Sequence, residues 1–436
     1  MVEHIRVAVR IGVRGAEGVM PTTSSHRVHM TPAVWLSAVG LLAGSYDVTA
    51  ISVAIVRLRA LWHLTSGQTA ALTAAPLVGS VVGAIVAGLL ADRFGRRLLM
   101  LVDFAAFVGA AVLAALSSGY GSLLFWRTVM GLGVGADFAV VFPYLVESVA
   151  PAKRGPTMAL VLWINDVGQV LAFAAGSLFA GTGAAGFRGA LIVGAILGAI
   201  TLVSRRALPE TQPWLERRLR SARDIVKQGL RLDTVSKAGS SAVMWFLHQV
   251  TGQGLTLFLP LIIALLWSAG AAKSGVASII VKLLSLAGGV ITIFVIDRWG
   301  RRKLQWAGFL GRGAALVPLG LMVLTGARMP FWMAGGLLTL ALAFGAMGPD
   351  KTTVIATAER FPTAVRASGQ GAAEMIGRLG GVSGVLLFGL FAGPHGLGVT
   401  LLVFAAVALL GALLTWLTLP ETRPTAAELA QGEVAS

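Results

Sequence analysis

Asp47, Arg127 and Asp137 stand inside long apolar runs, where an ionisable side chain costs a few kcal/mol and marks a functional candidate. Counted inward from Arg57 at helical rise, Asp47 lies about 15 Å deep, and Arg127 about 9 Å in from the same face. Together they can hold and release a proton; a static buried salt bridge is the plain alternative. Asp137, ten residues from Glu147, lies about 15 Å in from the opposite face and is a third candidate for proton coupling, or else the partner of a neighbouring cation. A second group of polar residues has spacing suited to binding. Asn165 and Gln169 are four apart and share a helix face, with Asp166 between them, and Trp245, Gln249 and Gln253 form another stripe at the same spacing. Amides and an indole can bind hydroxyls or carboxylates, or simply join helices. Asp350 and Arg378 complete the candidate binding set. Arg378 could clamp an anion, but Glu374, four residues earlier, is a ready local partner. Lys282 and Arg312 add positive charge to the same region.

A third set of charges is duplicated. Asp92-Arg93-Phe94-Gly95-Arg96-Arg97 returns as Asp297-Arg298-Trp299-Gly300-Arg301-Arg302. Glu147, seven residues before Arg154, returns as Glu359, seven before Arg366, and Leu208-Pro209-Glu210-Thr211 returns as Leu419-Pro420-Glu421-Thr422. Each copy stands about half a chain length from the other, which reads as a duplicated domain rather than a solenoid. Asp92, Arg96, Arg97, Glu147 and Arg154, with Asp297, Arg301, Arg302, Glu359 and Arg366, are the chemistry of a salt-bridge gate that locks one end of a bundle and releases it.

The elements that carry these groups follow from hydropathy. The chain is 56% hydrophobic and 12% charged, with mean hydropathy +0.81, a surface that water would not hold in solution. Apolar runs of spanning length start near residues 33, 69, 98, 121, 156, 187, 239, 275, 304, 330, 367 and 396. The expected fold is an all-α membrane protein of twelve transmembrane helices in two six-helix bundles, 31–207 and 238–418. A tail (1–30), a linker with an amphipathic helix on the membrane surface (208–237) and a second tail (419–436) complete the chain. The net charge of +16 does not point to nucleic acid. Basic residues crowd the first tail, the linker and alternate loops, the pattern expected of a multi-pass inner-membrane protein with both termini cytoplasmic. With no cysteine, and no second histidine at ligand spacing to His248, no metal site and no cofactor are expected.

Arg127, Gly131, Gly133, Gly135, Tyr144, Glu147, Pro151, Arg154 and Gly155, with both Pro-Glu-Thr runs, resemble the pattern of sugar porters in the major facilitator superfamily. Gly348-Pro349-Asp350-Lys351-Thr352-Thr353, Glu359, Phe361-Pro362-Thr363, Arg366 and Gly371 resemble the phosphate-symporter branch. The likeness covers residues 31 to 425. It implies alternating access between pseudo-symmetric halves, coupling through Asp47 and Arg127, and a substrate-binding role for Arg378, which matches a lysine of the phosphate branch. The departures choose neither substrate. Thr352 stands where sugar porters usually carry tryptophan, Asp350 where phosphate symporters usually carry asparagine, and Gly44 where that branch has an acid. The expected function is proton-coupled symport of a sugar or polyol, phosphate or an organic anion, by a functional monomer whose partners are solute, protons and the lipid bilayer. An exporter of apolar compounds and a non-transporting nutrient sensor are the alternatives. Nothing suggests an enzyme.

Overall fold

Local chemistry sets the helix ends. Thr31 accepts from the backbone N–H of Val34 (3.3 Å) ahead of Pro32 and opens span one, Pro32–Leu61. Thr65 and Gln68 close a reciprocal capping box on span two, Ser66–Phe94, which satisfies two of the N–H groups that a helix start leaves unpaired. In the computed structural model, which describes residues 31–182, 186–216, 232–267, 269–327, 330–391 and 394–422, the first half continues with spans three to six. These are Arg96–Ala115, Tyr120–Ser148, Pro151–Phe179 and Gly186–Arg205.

The second half begins with a bent span seven, Leu232–Leu257 followed by Leu259–Trp267 at 57°. Spans eight and nine are Ala271–Trp299 and Arg301–Thr325. Span ten is broken at Gly348 into Phe331–Met347 and Pro349–Arg360, and spans eleven and twelve are Arg366–Phe391 and Pro394–Thr418. Among the described residues no strand occurs, and the twelve crossings match the hydropathy reading. Rows of exposed Val, Leu, Ile and Phe, such as Val102, Ile196, Ile280 and Phe294, form the outer surface a bilayer would cover.

Packing shows the duplication. Spans two and four, one and five, and three and six pair in the first half, and each pairing recurs six spans later, as eight with ten, seven with eleven, and nine with twelve. Across the halves, span two lies along span eleven and span five along span eight, again related by the same shift. At the end carrying residues 92–97 and 297–302, here the motif end, span two meets span eleven with almost no side chain between. A methyl on Gly88 would lie 2.6 Å from the Ala367 carbonyl and 3.2 Å from the Gly371 Cα. Leu77 rests on Gly381 midway, and Ala70 on Gly389 at the far end. Spans five and eight touch likewise from Gly155 and Asp297 at the motif end, through Trp163 bonded to the Leu286 carbonyl (3.1 Å), to Ser177 and Gly275. Both seams are therefore closed from end to end.

The linker departs from expectation where it is described. Residues 217–231 lie outside the described ones, as do both distal tails, 1–30 and 423–436. The described part is a single turn, Gln212–Leu215. Its Trp214 is buried and donates Nε1–H to the Asp92 carbonyl (3.1 Å), so this ring packs on protein rather than in the membrane surface.

Candidate functional site

At the motif end the three repeated elements of each half converge on one helix start. Spans three and nine begin with N–H groups that the helix itself cannot satisfy. In the first half, the Glu210 carboxylate accepts from the N–H groups of Arg96 (3.1 Å) and Arg97 (3.0 Å). In the second, Glu421 accepts from those of Arg301 (2.9 Å) and Arg302 (3.2 Å). The preceding glycines, Gly95 (φ +102) and Gly300 (φ +83), supply a backbone that other residues resist, and a Cβ on either would collide with that carboxylate. The guanidinium of Arg96 reaches Asp92 (2.9 Å) and Glu147 (3.2 Å), and Arg301 reaches Asp297 (2.8 Å) and Glu359 (2.9 Å). Thr211 donates to Glu147 (2.6 Å) and Thr422 to Glu359 (3.2 Å). Both Asp-Arg loops thus lie at one end. Arg97 and Arg302 do not join the acids: they donate to the carbonyls of Arg206 (2.9 Å) and Trp416 (2.5 Å).

Arg366 and Ser368 of span eleven bind the first half there. Arg366 of span eleven reaches Glu147 (3.2 Å), and Ser368 gives both its N–H (2.8 Å) and its hydroxyl (2.6 Å) to Asp92. Arg154 turns its Nε–H to the Val149 carbonyl (3.0 Å).

Between the sealed seams lies a polar cavity of about 350 Å³, lined by span five from the first half and spans seven to ten from the second. The bend of span seven and the break of span ten put Thr256 and Asp350 on its wall, as expected where irregular backbone borders a cavity. Gln169, Gln249, Gln253 and Asp350 of the candidate binding set line it. Around it runs a chain of buried charge. Asp166 bonds Lys351 (2.5 Å) and lies 3.5 Å from Lys282, so one acid of the first half joins two cations of the second. Lys351 also pairs with Asp350, whose other oxygen lies 3.4 Å from Nε2 of His248. Arg312 donates to Thr251 (2.8 Å), to Nδ1 of His248 (3.3 Å) and to the Ala341 carbonyl (3.2 Å). The amide pair Gln253–Gln249 is bonded (3.2 Å), while Nε2 of Gln249 and Oε1 of Gln169 lack partners among the described residues.

Other candidates sit off the cavity wall. Arg378 reaches Glu374 through Nε (2.6 Å) and lies 4.6 Å over the Phe138 ring, and Trp245 donates its indole N–H to the same Glu374 (2.6 Å) while stacking on His248. A buried guanidinium takes the nearest carboxylate, and Glu374 stands one turn away on the same helix. Asn165 is buried with its Oδ1 unpartnered among the described residues and is not on the wall.

Deeper in the first half, Arg127 turns toward the carbonyls of Val48 (3.1 Å) and Asp47 (3.4 Å) rather than the Asp47 carboxylate. Both Asp47 oxygens are fully buried without a hydrogen-bond partner among the described residues, held against Gly194 of span six, where a methyl would lie 2.1 Å from Oδ1. Asp137 is gripped at both oxygens by Arg205 (2.5 and 3.2 Å), which also lies 4.4 Å over the Phe104 ring. Arg205, not singled out from sequence, closes span six and folds back inward. Asp166 and Lys351 were also missed as site residues. The signal was present for both, because each is an ionisable group within a spanning run.

A family model described as Major Facilitator Superfamily matches residues 37–358. Among curated relatives, a Bacillus subtilis protein under the provisional name niacin/nicotinamide transporter NiaP is 27% identical over 396 residues, 90% of this chain and 96% of its own. Glucose transporter GlcP of Staphylococcus epidermidis is 25% identical over 419 residues, 89% and 93% of the two chains. Among solved structures, the proton:xylose symporter XylE of E. coli, bound to 6-bromo-6-deoxy-D-glucose, superposes with a TM-score of 0.78 at 22% identity, covering 92% of this chain and 98% of its own. That likeness is one of fold.

Proposed function

The chain belongs to the Major Facilitator Superfamily, and on that premise we propose that it carries a small polar solute through its central cavity by alternating access, driven by protons. The observation that carries this reading is the polar cavity walled by both halves, between two helix seams that touch along their length. A solute held there would cross by one seam opening while the other stays closed. Rocking of the halves about Asp166, Lys282 and Lys351 would open the motif end by parting Arg366 from Glu147 and Ser368 from Asp92, or the far end by parting Ser177 from Gly275.

Asp47 is the group best suited to carry the proton. Its carboxylate is buried without a hydrogen-bond donor among the described residues, and Arg127 bonds the adjacent backbone carbonyls, a short side-chain movement away from it. Asp137 carries its own cation, Arg205, and serves as an internal ion pair in this state. Basic residues concentrated at the motif end support a cytoplasmic position for it, with both termini on that side of the plasma membrane. A single chain supplies the residues that line the cavity, which supports a functional monomer.

The relatives' names supply the first panel for testing uptake in proteoliposomes with and without an inward proton gradient: nicotinate, nicotinamide, glucose, arabinose and phosphate. Uptake should rise as the external side is acidified. Asp47→Asn should lose accumulation against a gradient while retaining exchange, because an amide cannot cycle a proton. Unchanged accumulation by that variant would remove Asp47 from the coupling role.

A further inference from the structure

The charges around the cavity do not cancel. Lys282 and Lys351 face Asp166 and Asp350, two cations against two acids. His248 counts as neutral on geometry: its Nδ1 faces a guanidinium N–H that can only donate, so Nδ1 accepts and the ring proton stands on Nε2, toward Asp350. Arg312 is left over. It is 2% exposed, lines the cavity, and its hydrogen bonds go to Thr251, His248 and the Ala341 carbonyl, all uncharged. Among the described residues no carboxylate stands within salt-bridge distance of it. A buried guanidinium without a directly bonded anion is costly, even with Asp350 and Asp166 nearby, and the backbone holds this one in place: at Gly345 a Cβ would lie 1.5 Å from its Nη2.

A second observation points to a ligand at the same wall. The Nε2 donor of Gln249, a residue 2% exposed, has no partner among the described residues. A surplus of one positive charge together with an unused buried donor asks for an acceptor carrying one negative charge. Leu342 and Ala346 complete the wall with apolar surface, which suits an organic body rather than a bare inorganic ion. We propose that the cavity binds a small organic monocarboxylate and that Arg312, with Gln249, holds its carboxylate. This rests on the reading of the cavity as the solute site and names the solute's class.

The test is ligand-induced change in Tm and equilibrium binding on the purified full-length chain, with matched pairs differing only in charge: acetate and acetamide, benzoate and benzamide, nicotinate and nicotinamide. Xylose and inorganic phosphate are run beside them at equal ionic strength. At least one carboxylate should bind about tenfold or more tighter than its amide. Arg312→Gln should weaken that carboxylate on the order of 30-fold or more, the loss expected when a buried charge-assisted contact is truncated, and leave the amide's binding little changed. A merely structural arginine would lower the ligand-free Tm and shift both members of a pair alike, which overturns the proposal.

If Arg312→Gln does not fold, Gly345→Ala keeps the charge but displaces the guanidinium, and should lower the carboxylate-over-amide ratio in the same direction. Amide binding equal to or tighter than carboxylate in every pair, no response to any carboxylate at millimolar concentration, or preference for phosphate or xylose overturns the assignment. Flux separates the two readings. Liposomes that move only neutral probes keep the transport reading and overturn the carboxylate; carboxylate binding lost in Arg312→Gln without flux of any probe keeps the site and overturns transport.

Discussion

Asp92 and Asp297 hold the same place in the two halves, yet Asp92 takes hydrogen bonds from the other half while Asp297 packs against its Gly155. Each pairs with the arginine one turn on, Arg96 or Arg301. Asp92 also receives two hydrogen bonds from Ser368, two residues beyond Arg366, and its side chain is 1% exposed. The corresponding place two residues beyond Arg154 is Pro156, which has no N–H and no hydroxyl, and the Asp297 side chain, against Gly155, is 24% exposed. The glutamates divide in the same way. Glu147 holds Arg96, Thr211 and the opposing Arg366, whereas Glu359 holds Arg301 and Thr422 of its own half. The duplicated motif therefore does two jobs. Within each half it fixes a helix start, and across the halves the first copy forms a latch through Asp92 and Glu147.

The strongest way to break this comparison is to remove one glutamate at a time. Glu147→Gln should cost about 3–5 kcal/mol, the range for stripping one partner from a buried ion pair, and should also open the motif end. Glu359→Gln should lose stability while leaving that end closed. Because the chain has no cysteine, spin labels at Leu98→Cys and Lys303→Cys report the separation without background. Equal widening in both variants would dissolve the distinction.

Next in size, Ser368→Pro copies Pro156 into the second half. Position 368 lies in the first turn of span eleven, where a helix tolerates proline, so the loss should be confined to the bonds with Asp92. Those charge-assisted bonds are worth about 1.5–3 kcal/mol, and label distances should shift toward a wider motif end. An unchanged distance distribution would show that the latch rests on Glu147 and Arg366 alone.

The caps should behave alike where the latch does not. Glu210→Gln and Glu421→Gln each weaken a carboxylate holding two helix-start N–H groups, and each should lower stability by about 1 kcal/mol. Melting that differs widely between the two would contradict a shared intra-half role. The smallest effect, under about 1 kcal/mol, is a gain. Pro156→Ser offers Asp297 the donors that Ser368 gives Asp92, and should favour the closed motif end; greater opening would sink the account of the asymmetry.

How much of this was legible depends on how local the physics is. Asp92, Arg96 and Glu147 stand at spacings that repeat, so their common site could be read as soon as the second copy was seen. The role of the two Pro-Glu-Thr runs could not: nothing in Glu210 says that it caps a helix more than a hundred positions earlier. Arg127 and Asp47 stand within a long side chain's reach in depth, yet depth does not orient a guanidinium, and it turned to carbonyls instead of the carboxylate. Arg378 was offered two partners by sequence, and the one on its own helix face took it.

By itself the sequence determined the twelve crossings, their order, the duplication and the end at which the repeated charges gather. Those follow from apolar length, from caps and prolines, and from residues acting on neighbours within a turn or two. Only the tertiary structure decided which buried charges meet. Asp166 and Lys351 are 185 positions apart, and Arg205 reaches Asp137 across 68. Spacing along a helix fixes the face on which a charge stands. The partner it finds there, or the lack of one that singles out Arg312, is set by which helices pack against that face.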